Sequence, residues 1–309
     1  MSSVVTGGAG FIGSHLVDAL VSRGDELVVV DDCRAGDPRY LDSAIRDGRV
    51  TLSPTDLLGD RWTPALTGAE RIYHLAADPD VRESARTPQS PFDNNVVATQ
   101  RVLEGMRRHD VGELVFTSTS TVYGEATVIP TPEDYAPMEP ISVYGASKLA
   151  CEALISAYCH TYGMRAWVFR FANIVGPRSG HGVIPDFVAK LRANPDELEI
   201  LGDGRQCKSY MDVADCVEGM LFAADHAREA FNVFNLGSED GIDVRTIADI
   251  VCEEMGLSDV SYRFTGGARG WVGDVPRMQL AVDRMASLGW RPRFGSRESV
   301  RRAARALIG

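Results

Sequence analysis

A tyrosine and a lysine stand four residues apart in the run from Val143 to Lys148. On a helix this spacing places the side chains of Tyr144 and Lys148 on one face. A tyrosine is a poor base at neutral pH because its reference pKa is about 10, and a nearby ammonium group lowers that pKa by stabilising the phenolate. The pair can therefore exchange a proton with a hydroxyl group of a ligand. The alternative is a surface pair on an amphipathic helix.

A cluster of hydroxyl groups favours the catalytic interpretation. Ser118, Thr119, Ser120 and Thr121 follow the strand-like run 114–117 and precede Tyr144 in the chain. Ligands of open α/β sheets bind at the carboxyl ends of the strands. A hydroxyl at this place can orient an oxygen atom of a ligand and share its proton with the phenolate.

A glycine-rich loop follows the first strand-like run of the chain. Residues 6–13 read Thr-Gly-Gly-Ala-Gly-Phe-Ile-Gly and give the spacing G-x-x-G-x-x-G at Gly7, Gly10 and Gly13, with Phe11 and Ile12 inside it. Such glycines allow a tight turn and a close approach to a pyrophosphate, which the start of the next helix then binds. A strand before the loop and a helix after it make a dinucleotide site the expectation.

The second strand ends in Asp31 and Asp32, and Asp31 lies eighteen residues beyond Gly13. An acid at that place accepts the hydroxyls of an adenosine ribose and repels a 2′-phosphate, so the sequence predicts NAD rather than NADP. Asp56 and Leu57 follow another strand, and Asp56 could accept from the exocyclic amine of adenine. An ordinary turn at the strand end explains these two residues equally well.

The elements that must position these groups alternate along the first half of the chain. Short β-branched runs alternate with amphipathic stretches, which predicts an α/β fold with a doubly wound parallel sheet of the Rossmann type. Beyond residue 172 the alternating pattern gives way to segments interrupted by Gly and Pro. We therefore expect an NAD-binding domain over residues 1–172, with 208–254 partly returning to it. Residues 173–309 should form mainly a smaller, interleaved substrate lobe.

Composition excludes several other classes of protein. The net charge of −11 argues against nucleic acid as a partner, which requires a basic surface. The six cysteines form no CxxC pair and, like the six histidines, no metal-ligand spacing, so no metal is expected. With no apolar run of membrane-spanning length, the sequence favours a cytoplasmic protein that does not enter membranes.

Seven motifs together resemble the extended short-chain dehydrogenase/reductases, and within them the UDP-glucose (galactose) 4-epimerases of the archaeal type. The similarity covers nearly the whole chain, through the runs TGGAGFIGSHL (6–16), HLAA (74–77), NNVVAT (94–99), STVYG (120–124), SVYGASK (142–148), RFANIVGP (170–177) and GDGRQCKSY (202–210). The resemblance implies that Tyr144, Lys148 and Thr119 are catalytic. Many family members have serine where this chain has Thr119, which keeps the hydroxyl.

The same resemblance implies further binding residues. Those for the nicotinamide half of NAD would be Leu75, Ala76, Ala77 and Asn95. Contacts to the substrate diphosphate would come from Asn173, Lys208 and, in a glycine-rich loop, Arg269. Met278 falls at a gate for the sugar, where some epimerases carry a bulky tyrosine and others a small residue. Methionine has intermediate bulk and is flexible. UDP-galactose should therefore be the better substrate, with weak turnover of UDP-N-acetylgalactosamine.

The implied reaction interconverts UDP-galactose and UDP-glucose through a transient 4-keto sugar, with Tyr144 taking the proton of the 4-hydroxyl. The rivals are another sugar-nucleotide epimerase, a 4,6-dehydratase, a decarboxylase or a reductase of the same family, and a non-catalytic regulator that binds a dinucleotide. In the dehydratases and decarboxylases an acid follows the hydroxyl of the triad within two residues, whereas Ser120 and Thr121 follow Thr119 here.

The resemblance also implies a homodimer. In the family two long helices pair across a two-fold axis, and here they correspond to residues 92–108 and 143–162. Six apolar residues of these helices could furnish the contact surface: Val96, Val97, Leu103, Leu149, Leu154 and Ile155.

Overall fold

The structure, a computed structural model, describes residues 2–271 and 273–309. The strands are β1 (Ser2–Thr6), β2 (Glu26–Val30), β3 (Val50–Ser53), β4 (Arg71–His74), β5 (Glu113–Thr119), β6 (Arg165–Phe171), β7 (Asn173–Val175), β8 (Glu197–Ile200), β9 (Cys207–Lys208), β10 (Tyr210–Asp212), β11 (Phe231–Leu236), β12 (Ile242–Asp243), β13 (Ser261–Phe264) and β14 (Arg277–Met278). The α-helices are α1 (Phe11–Ser22), α2 (Asp42–Arg46), α3 (Gln89–Pro91), α4 (Ala98–Arg108), α5 (Val143–Tyr162), α6 (Val183–Ala193), α7 (Val213–His226), α8 (Val244–Glu254), α9 (Asp283–Ser287) and α10 (Ser296–Ile308). Four short 3₁₀ turns cover Pro38–Leu41, Thr63–Leu66, Glu83–Ala85 and Ser120–Tyr123, and a π-helical segment, Phe92–Val97, lies between α3 and α4.

The chain divides into two compact units. Unit 1 comprises the chain up to Val122 together with Glu139–Arg170 and Met220–Phe234. Unit 2 comprises Tyr123–Met138, Phe171–Gly219 and Asn235–Gly309. The units are therefore interleaved in sequence.

Unit 1 is organised around a seven-stranded sheet with the order β11-β6-β5-β4-β1-β2-β3. The pairings β3–β2, β2–β1, β1–β4 and β4–β5 are all parallel. Strand order reverses between β1 and β4, which is the topology of a doubly wound fold and the place where such folds bind ligands. The predicted α/β class with a doubly wound parallel sheet is confirmed.

The bounds of the units differ in detail from those expected from the sequence. Tyr123–Met138 groups with unit 2, although it lies within the predicted 1–172 domain. The segment that returns to unit 1 is Met220–Phe234, which is shorter than the expected 208–254. The return has a clear cause, because β11 completes the sheet beside β6. Sequence texture alone carries no signal for such a long-range strand pairing.

The core of unit 1 is formed by apolar side chains of the sheet and of the helices packed on it. Trp62, Ile72, Leu103, Ile155 and Val168 belong to this cluster and are at most 1% exposed. Leu103 and Ile155 are therefore core residues of the chain itself. Their expected place on a dimer surface is corrected by this burial, because side chains already packed in the core cannot contact a second copy.

Unit 2 contains three small sheets and a helical layer with a core of its own. The sheets are β10–β7, β12–β9–β14 and β13–β8. Apolar residues of α6, α8 and α10 pack together in this core, among them Phe187, Ile250 and Val300, each at most 2% exposed. In the part of the chain that the structure describes, no helix is both long and apolar enough to cross a bilayer.

Candidate active site

Tyr144 and Lys148 lie in the first two turns of α5, whose start is fixed by its own sequence. Ser142 caps the helix, since its hydroxyl accepts the N–H of Gly145 at 3.0 Å. A side chain that accepts one of the unsatisfied N–H groups at a helix start fixes where the helix begins. The helix ends at Gly163, which has the left-handed φ of 70°. These local signals set the rotation of α5 and so the direction in which Tyr144 and Lys148 point.

Strand β5 brings its carboxyl end to the same place. The side chain of Thr119, the last residue of β5, lies near that of Tyr144 and lowers its pKa. The ammonium group of Lys148 is buried, 3% exposed, and donates to the carbonyl oxygen of Thr117 at 3.0 Å. The structure thus brings together the three residues that the sequence proposed as catalytic.

The protonation of Tyr144 differs from the sequence expectation. Burial raises the pKa of Tyr144 above its usual value, and the hydrogen bond from Thr119 opposes that rise. The negative charge of Asp78 raises the pKa further. Lys148 directs its ammonium at Thr117 and is not among the groups that lower this pKa. Tyr144 is therefore a phenol in this structure, because desolvation outweighs the stabilising contacts of the phenolate.

Lys148 is affected by burial in the opposite direction. Desolvation lowers the pKa of its ammonium group to about 8, while Cys151 and Glu152 raise it. His74 of β4 also faces Lys148, and burial lowers its pKa to about 3. The imidazole of His74 is therefore neutral, with Thr6 Oγ1 at 2.7 Å and Thr99 Oγ1 at 3.0 Å.

The glycine-rich loop between β1 and α1 is closed so tightly that only glycine fits. A Cβ at Gly13 would lie 2.0 Å from the carbonyl oxygen of Gly7, and a Cβ at Gly7 would lie 2.6 Å from the nitrogen of Ala76. Gly7 has the positive φ of 72° and donates its N–H to Val30 at 2.9 Å. Gly10 precedes α1, and Phe11, Ile12 and Gly13 form its first turn. The free N–H groups of such a turn fit a pyrophosphate, so the loop fits a dinucleotide.

Asp31, at the end of β2, stabilises this loop directly. Its carboxylate accepts the N–H of Ala9 at 2.9 Å and that of Cys33 at 2.8 Å. Burial raises the pKa of Asp31 even though both hydrogen bonds lower it. A carboxylate has about four lone-pair sites, so two remain for the hydroxyls of a ribose. The predicted ribose acid therefore has a second task that the sequence did not reveal.

Arg34 was not among the residues predicted to bind the cofactor, and it connects two that were. Its guanidinium lies 2.5 Å from the carboxylate of Asp32 and 3.4 Å from that of Asp56. Asp56 also accepts the N–H of Leu58 at 2.8 Å, in the manner of an ordinary turn. The side chain of Leu57 packs in the core of unit 1 and is 6% exposed. An arginine three residues after the ribose acid is the signal that could have identified Arg34.

The loop after β4 holds the residues expected beside the nicotinamide. Leu75 donates its N–H to the backbone oxygen of Thr6 at 3.0 Å. Ala76 donates its N–H to the hydroxyl of Thr6 at 3.3 Å. Leu75, Ala76 and Ala77 are half-buried. This loop therefore lies directly against the end of β1, next to the glycine-rich loop.

Asn95 is almost fully buried in the π-helical segment, 1% exposed. Its amide oxygen accepts the N–H of Asp78 at 2.8 Å, and its amide nitrogen donates to Ser147 Oγ at 2.9 Å. Asn95 thereby links the loop after β4 to the helix of Tyr144 and Lys148. These contacts position other residues of unit 1.

Unit 2 gathers the residues that the resemblance assigned to the substrate. Lys208 of β9 forms an ion pair with Asp274 at 2.5 Å. Arg269 pairs with Glu125 at 2.6 Å and donates to the carbonyl oxygen of Asp274 at 2.8 Å. Asp274 is 3% exposed and connects the two cations. The structure therefore places Lys208 and Arg269 in one charged cluster.

Asn173 and Met278 complete this part of unit 2. Asn173, on β7, donates its side-chain amide to the carbonyl oxygen of Ser209 at 3.1 Å. Met278, on β14, is the register partner of Lys208 in the parallel pair β14–β9 and is half-buried. The backbone carbonyl of Met278 accepts the N–H of Ser209 at 3.1 Å. Within residues 2–271 and 273–309 no group of three His, Cys, Asp or Glu side chains could hold a metal ion.

Comparison with known proteins gives the family. Residues 3–237 match the model of the NAD dependent epimerase/dehydratase family. The chain belongs to this family. It is an enzyme of the epimerase type that uses NAD, in a family of UDP-sugar epimerases and decarboxylases.

Several relatives match almost the whole chain. The UDP-glucose 4-epimerase of Mycolicibacterium smegmatis is 33% identical over 97% of this chain and 96% of its own length. A relative from the archaeon Methanocaldococcus jannaschii is 32% identical, with coverages of 97% and 96%. The UDP-glucuronic acid decarboxylase 1 of Arabidopsis thaliana is also 32% identical over 97% of this chain, and the match covers 68% of that protein. Sequence identity at this level defines the family more sharply than the substrate.

Solved structures agree with this assignment. A crystal structure of a UDP-galactose 4-epimerase is 44% identical, with a TM-score of 0.89 over 99% of this chain and 98% of that chain. The UDP-glucose 4-epimerase of Thermus thermophilus, in complex with NAD, is 30% identical, with a TM-score of 0.87 over 100% of this chain and 99% of that chain. The fold is therefore shared from end to end.

Proposed function

We propose that this enzyme is a 4-epimerase that interconverts UDP-galactose and UDP-glucose through a transient 4-keto sugar. The observation that carries the proposal is that Thr119 and Tyr144 lie close together, with the ammonium of Lys148 buried one turn further along α5. A phenol and a hydroxyl so placed can exchange a proton with a hydroxyl of a bound sugar. Matches to UDP-sugar 4-epimerases over nearly the full chain support the substrate class.

The work of the protein in this proposal is proton transfer and binding. Bound NAD would supply reversible hydride transfer at C4 of the sugar, so the cycle would have no net oxidation. Tyr144, once deprotonated, takes the proton of the 4-hydroxyl and later returns it. Thr119 shares a hydrogen bond with that phenol and orients the sugar oxygen. Lys148 holds a buried positive charge one helical turn from Tyr144, directed in this structure at the carbonyl oxygen of Thr117.

Binding of NAD is proposed for unit 1. The first-turn N–H groups of α1, following Gly7 and Gly10, would bind the pyrophosphate, and Asp31 would accept the ribose hydroxyls. The pair of Asp32 with Arg34 and the turn at Asp56 would form the adenosine end. Leu75, Ala76 and Ala77 would contact the nicotinamide half, and Asn95 would hold that loop in place.

Binding of the substrate diphosphate is proposed for Lys208, Arg269 and Asn173 of unit 2. Both cations are already paired with carboxylates in the structure, Lys208 with Asp274 and Arg269 with Glu125. A bound diphosphate would therefore either displace these carboxylates from the two cations or bind beside them. Lysine supplies a point charge here without the bidentate geometry of an arginine.

A dehydratase or a decarboxylase is the second candidate, favoured by the decarboxylase among the relatives. The local chemistry argues against both reactions. The hydroxyl of Thr119 lies 3.1 Å from that of Thr121, so the position two residues after Thr119 holds a second hydroxyl rather than an acid. Neither a reductase nor a regulator that only binds a dinucleotide accounts better for the half-buried Tyr144 and the buried Lys148.

Incubation of the purified enzyme with UDP-galactose, without added cofactor, tests the proposal. An epimerase forms UDP-glucose, a dehydratase forms a 4-keto-6-deoxy sugar, and a reductase or a silent binding protein gives no turnover. A parallel incubation with UDP-glucuronic acid identifies a decarboxylase by the release of carbon dioxide. Absence of UDP-glucose from the first incubation would overturn the proposed function.

Selectivity for the sugar is proposed to depend on Met278. Because Met278 is the strand partner of Lys208, a larger side chain there would narrow the space beside the diphosphate end of the substrate. We expect Met278→Tyr to abolish turnover of UDP-N-acetylgalactosamine and to spare that of UDP-galactose. Met278→Leu, which keeps the volume, is the control and should retain both activities. A parallel loss of both activities with a lower melting temperature would instead identify Met278 as a core residue that tolerates no extra bulk.

A cytoplasmic homodimer is proposed as the working form. The cytoplasmic location is supported by six free thiols, which are typical of reducing compartments. Phe92 and Val143, at the starts of the two long helical regions, are 52% and 38% exposed and could take the place of the buried Leu103 and Ile155 in a contact between copies. Light scattering at micromolar concentration should give twice the mass of 33.6 kDa, and a monomer mass would contradict the dimer.

A further inference from the structure

A buried ion pair lies beside the catalytic residues and has no role in the proton transfer described above. Glu152 of α5 and Arg170 of β6 are each 4% exposed. Arg170 donates to the Glu152 carboxylate from Nε at 3.1 Å and from a terminal nitrogen at 2.7 Å. The hydroxyl of Ser118 donates to the same carboxylate at 2.5 Å. Two charges and a hydroxyl are thus removed from water together.

Stability alone is a weak reason for such a cluster. Desolvation of two ions offsets most of their attraction, and a well-packed apolar pair of similar volume often stabilises a fold at least as well. Buried ionic groups are in some proteins retained because they fix one arrangement of their neighbours. The neighbours of this cluster are therefore the place to look for its role.

The cluster holds the end of β5 at the residue between two catalytic contacts. Ser118, which Glu152 binds, is preceded by Thr117 and followed by Thr119. The carbonyl oxygen of Thr117 accepts a hydrogen bond from the ammonium of Lys148, and the side chain of Thr119 lowers the pKa of Tyr144. Glu152 itself follows Lys148 by four residues on α5, which places both on one helix face. One carboxylate thus connects α5, β5 and β6 at the catalytic residues.

We propose that Glu152, held by Arg170, is a positioning residue that fixes Thr117 and Thr119 through Ser118 and keeps the ammonium group of Lys148 charged and oriented. The inference rests on the proposed function, since it assigns Glu152 to the same proton transfer. Glu152 touches neither substrate nor cofactor in this role, and acts through Ser118 and Lys148.

The charges that face Lys148 make the electrostatic part of this role specific. Burial lowers the pKa of Lys148 to about 8, and Cys151 and Glu152 on the same helix raise it. Burial also raises the pKa of Cys151, so its thiol is neutral at the pH where Lys148 titrates. His74, facing from β4, is neutral because its pKa is about 3. Glu152 is therefore the ionised partner whose charge favours the ammonium form.

The sign of the expected pH effect follows from this arrangement. The ammonium form of Lys148 predominates below its pKa of about 8 and is lost as the pH rises through that value. Removing the negative charge of Glu152 lowers the pKa of Lys148 further. The alkaline limb of the turnover profile should therefore move to lower pH.

The test compares Glu152→Gln with a matched control in the purified full-length enzyme. Glutamine keeps an oxygen that accepts from Ser118 and removes the charge. Glu113→Gln is the control, because Glu113 forms a similar ion pair with Arg71 in the same sheet. Arg71 donates to the Glu113 carboxylate from Nε at 2.9 Å and from a terminal nitrogen at 2.7 Å. The two residues lie at the starts of β4 and β5. Each substitution removes an ionised partner from a buried arginine. The double variant Glu152→Gln/Arg170→Gln removes both charges. It replaces Glu152→Gln in the test if the single variant does not fold.

We expect Glu152→Gln to lower kcat at least about tenfold, with KM for UDP-galactose nearly unchanged. Its alkaline limb should move down by about one pH unit. Glu113→Gln should lower the melting temperature by a comparable amount and keep the wild-type pH profile. The double variant should retain the shifted limb at a melting temperature nearer to wild type.

A readout independent of turnover comes from the lysine content. The chain contains only three lysines, Lys148, Lys190 and Lys208, so ¹³C labelling at Cε gives three NMR signals, which Lys190→Arg and Lys208→Arg assign. The Lys148 signal should titrate near pH 8 in the wild type and at lower pH in Glu152→Gln. This result holds even if UDP-galactose is not a substrate, which would overturn the proposed function alone. An unshifted Lys148 titration and pH limb, with a loss of melting temperature equal to that of Glu113→Gln, would overturn the positioning role.

Discussion

Turnover of UDP-galactose should fall at least about 100-fold when Tyr144 is replaced by phenylalanine, because a positioned acid/base typically contributes that much or more. Phenylalanine keeps the aromatic ring and removes only the hydroxyl whose pKa Thr119 lowers. The glycine-rich loop and Asp31 are separate from this contact, so the variant should retain its bound NAD. The measurements are the initial rate of UDP-glucose formation and the NAD content of the purified protein.

Tyr158→Phe on the same helix is the control for this experiment. Tyr158 lies near the far end of α5 from Tyr144, and its hydroxyl donates to the carboxylate of Glu104 at 2.8 Å. Loss of one such hydrogen bond should change stability slightly and leave turnover near that of the wild type. Near-native turnover in Tyr144→Phe would remove Tyr144 from the acid/base role, whatever the control shows.

The grouping of the three residues proposed as catalytic could be predicted from sequence because most of its geometry is local. Tyr144 and Lys148 need only one helix with a well-defined start, and Ser142 supplies the cap that fixes it. Thr119 lies at the end of β5, which pairs in parallel with β4, the strand before it in the chain. Short-range rules of spacing and capping therefore carry most of the information about these three residues.

The protonation of these residues could not be predicted in the same way. Spacing indicates that a lysine lies near a tyrosine, and it gives no measure of how much water both groups lose. In the structure burial determines the direction of both pKa shifts, upward for Tyr144 and downward for Lys148. Desolvation depends on the whole surrounding fold and has no local signature.

Contacts between distant segments were likewise invisible in the sequence. Glu152 and Arg170 meet because β6 lies beside β5, on which helix α5 packs, and the pairing of Arg34 with Asp56 depends on how two strand ends approach one another. The sequence around each of these residues gives no sign that its charged side chain makes such a contact. Only the tertiary fold shows that Glu152 and Arg170 are buried.

The glycine-rich loop allows a prediction in which the size of the effect follows from distance. Replacing Gly13 by alanine would place a Cβ 2.0 Å from the carbonyl oxygen of Gly7 and 2.9 Å from Cα of Gly8. These atoms belong to the backbone, so no change of rotamer relieves the contact. The loop must open or α1 must shift, and either movement displaces the N–H groups proposed for the pyrophosphate. We expect Gly13→Ala to lose bound NAD and to lower the free energy of unfolding by about 1–3 kcal/mol or more.

Two further glycines complete a graded series of the same chemical change. A Cβ at Gly10 would lie 3.2 Å from the oxygen of Gly7, a tight contact that a small shift relieves, and a Cβ at Gly112 would meet no atom within 4 Å. Retained NAD should therefore rank Gly112→Ala highest, Gly10→Ala next and Gly13→Ala lowest, with melting temperatures in the same order. Calorimetric titration with NAD and thermal melts of the three variants provide the measurements. If Gly13→Ala binds NAD as tightly as Gly112→Ala, the close packing of this loop has no role in holding the cofactor, because the most severe backbone overlap would then have no effect on it.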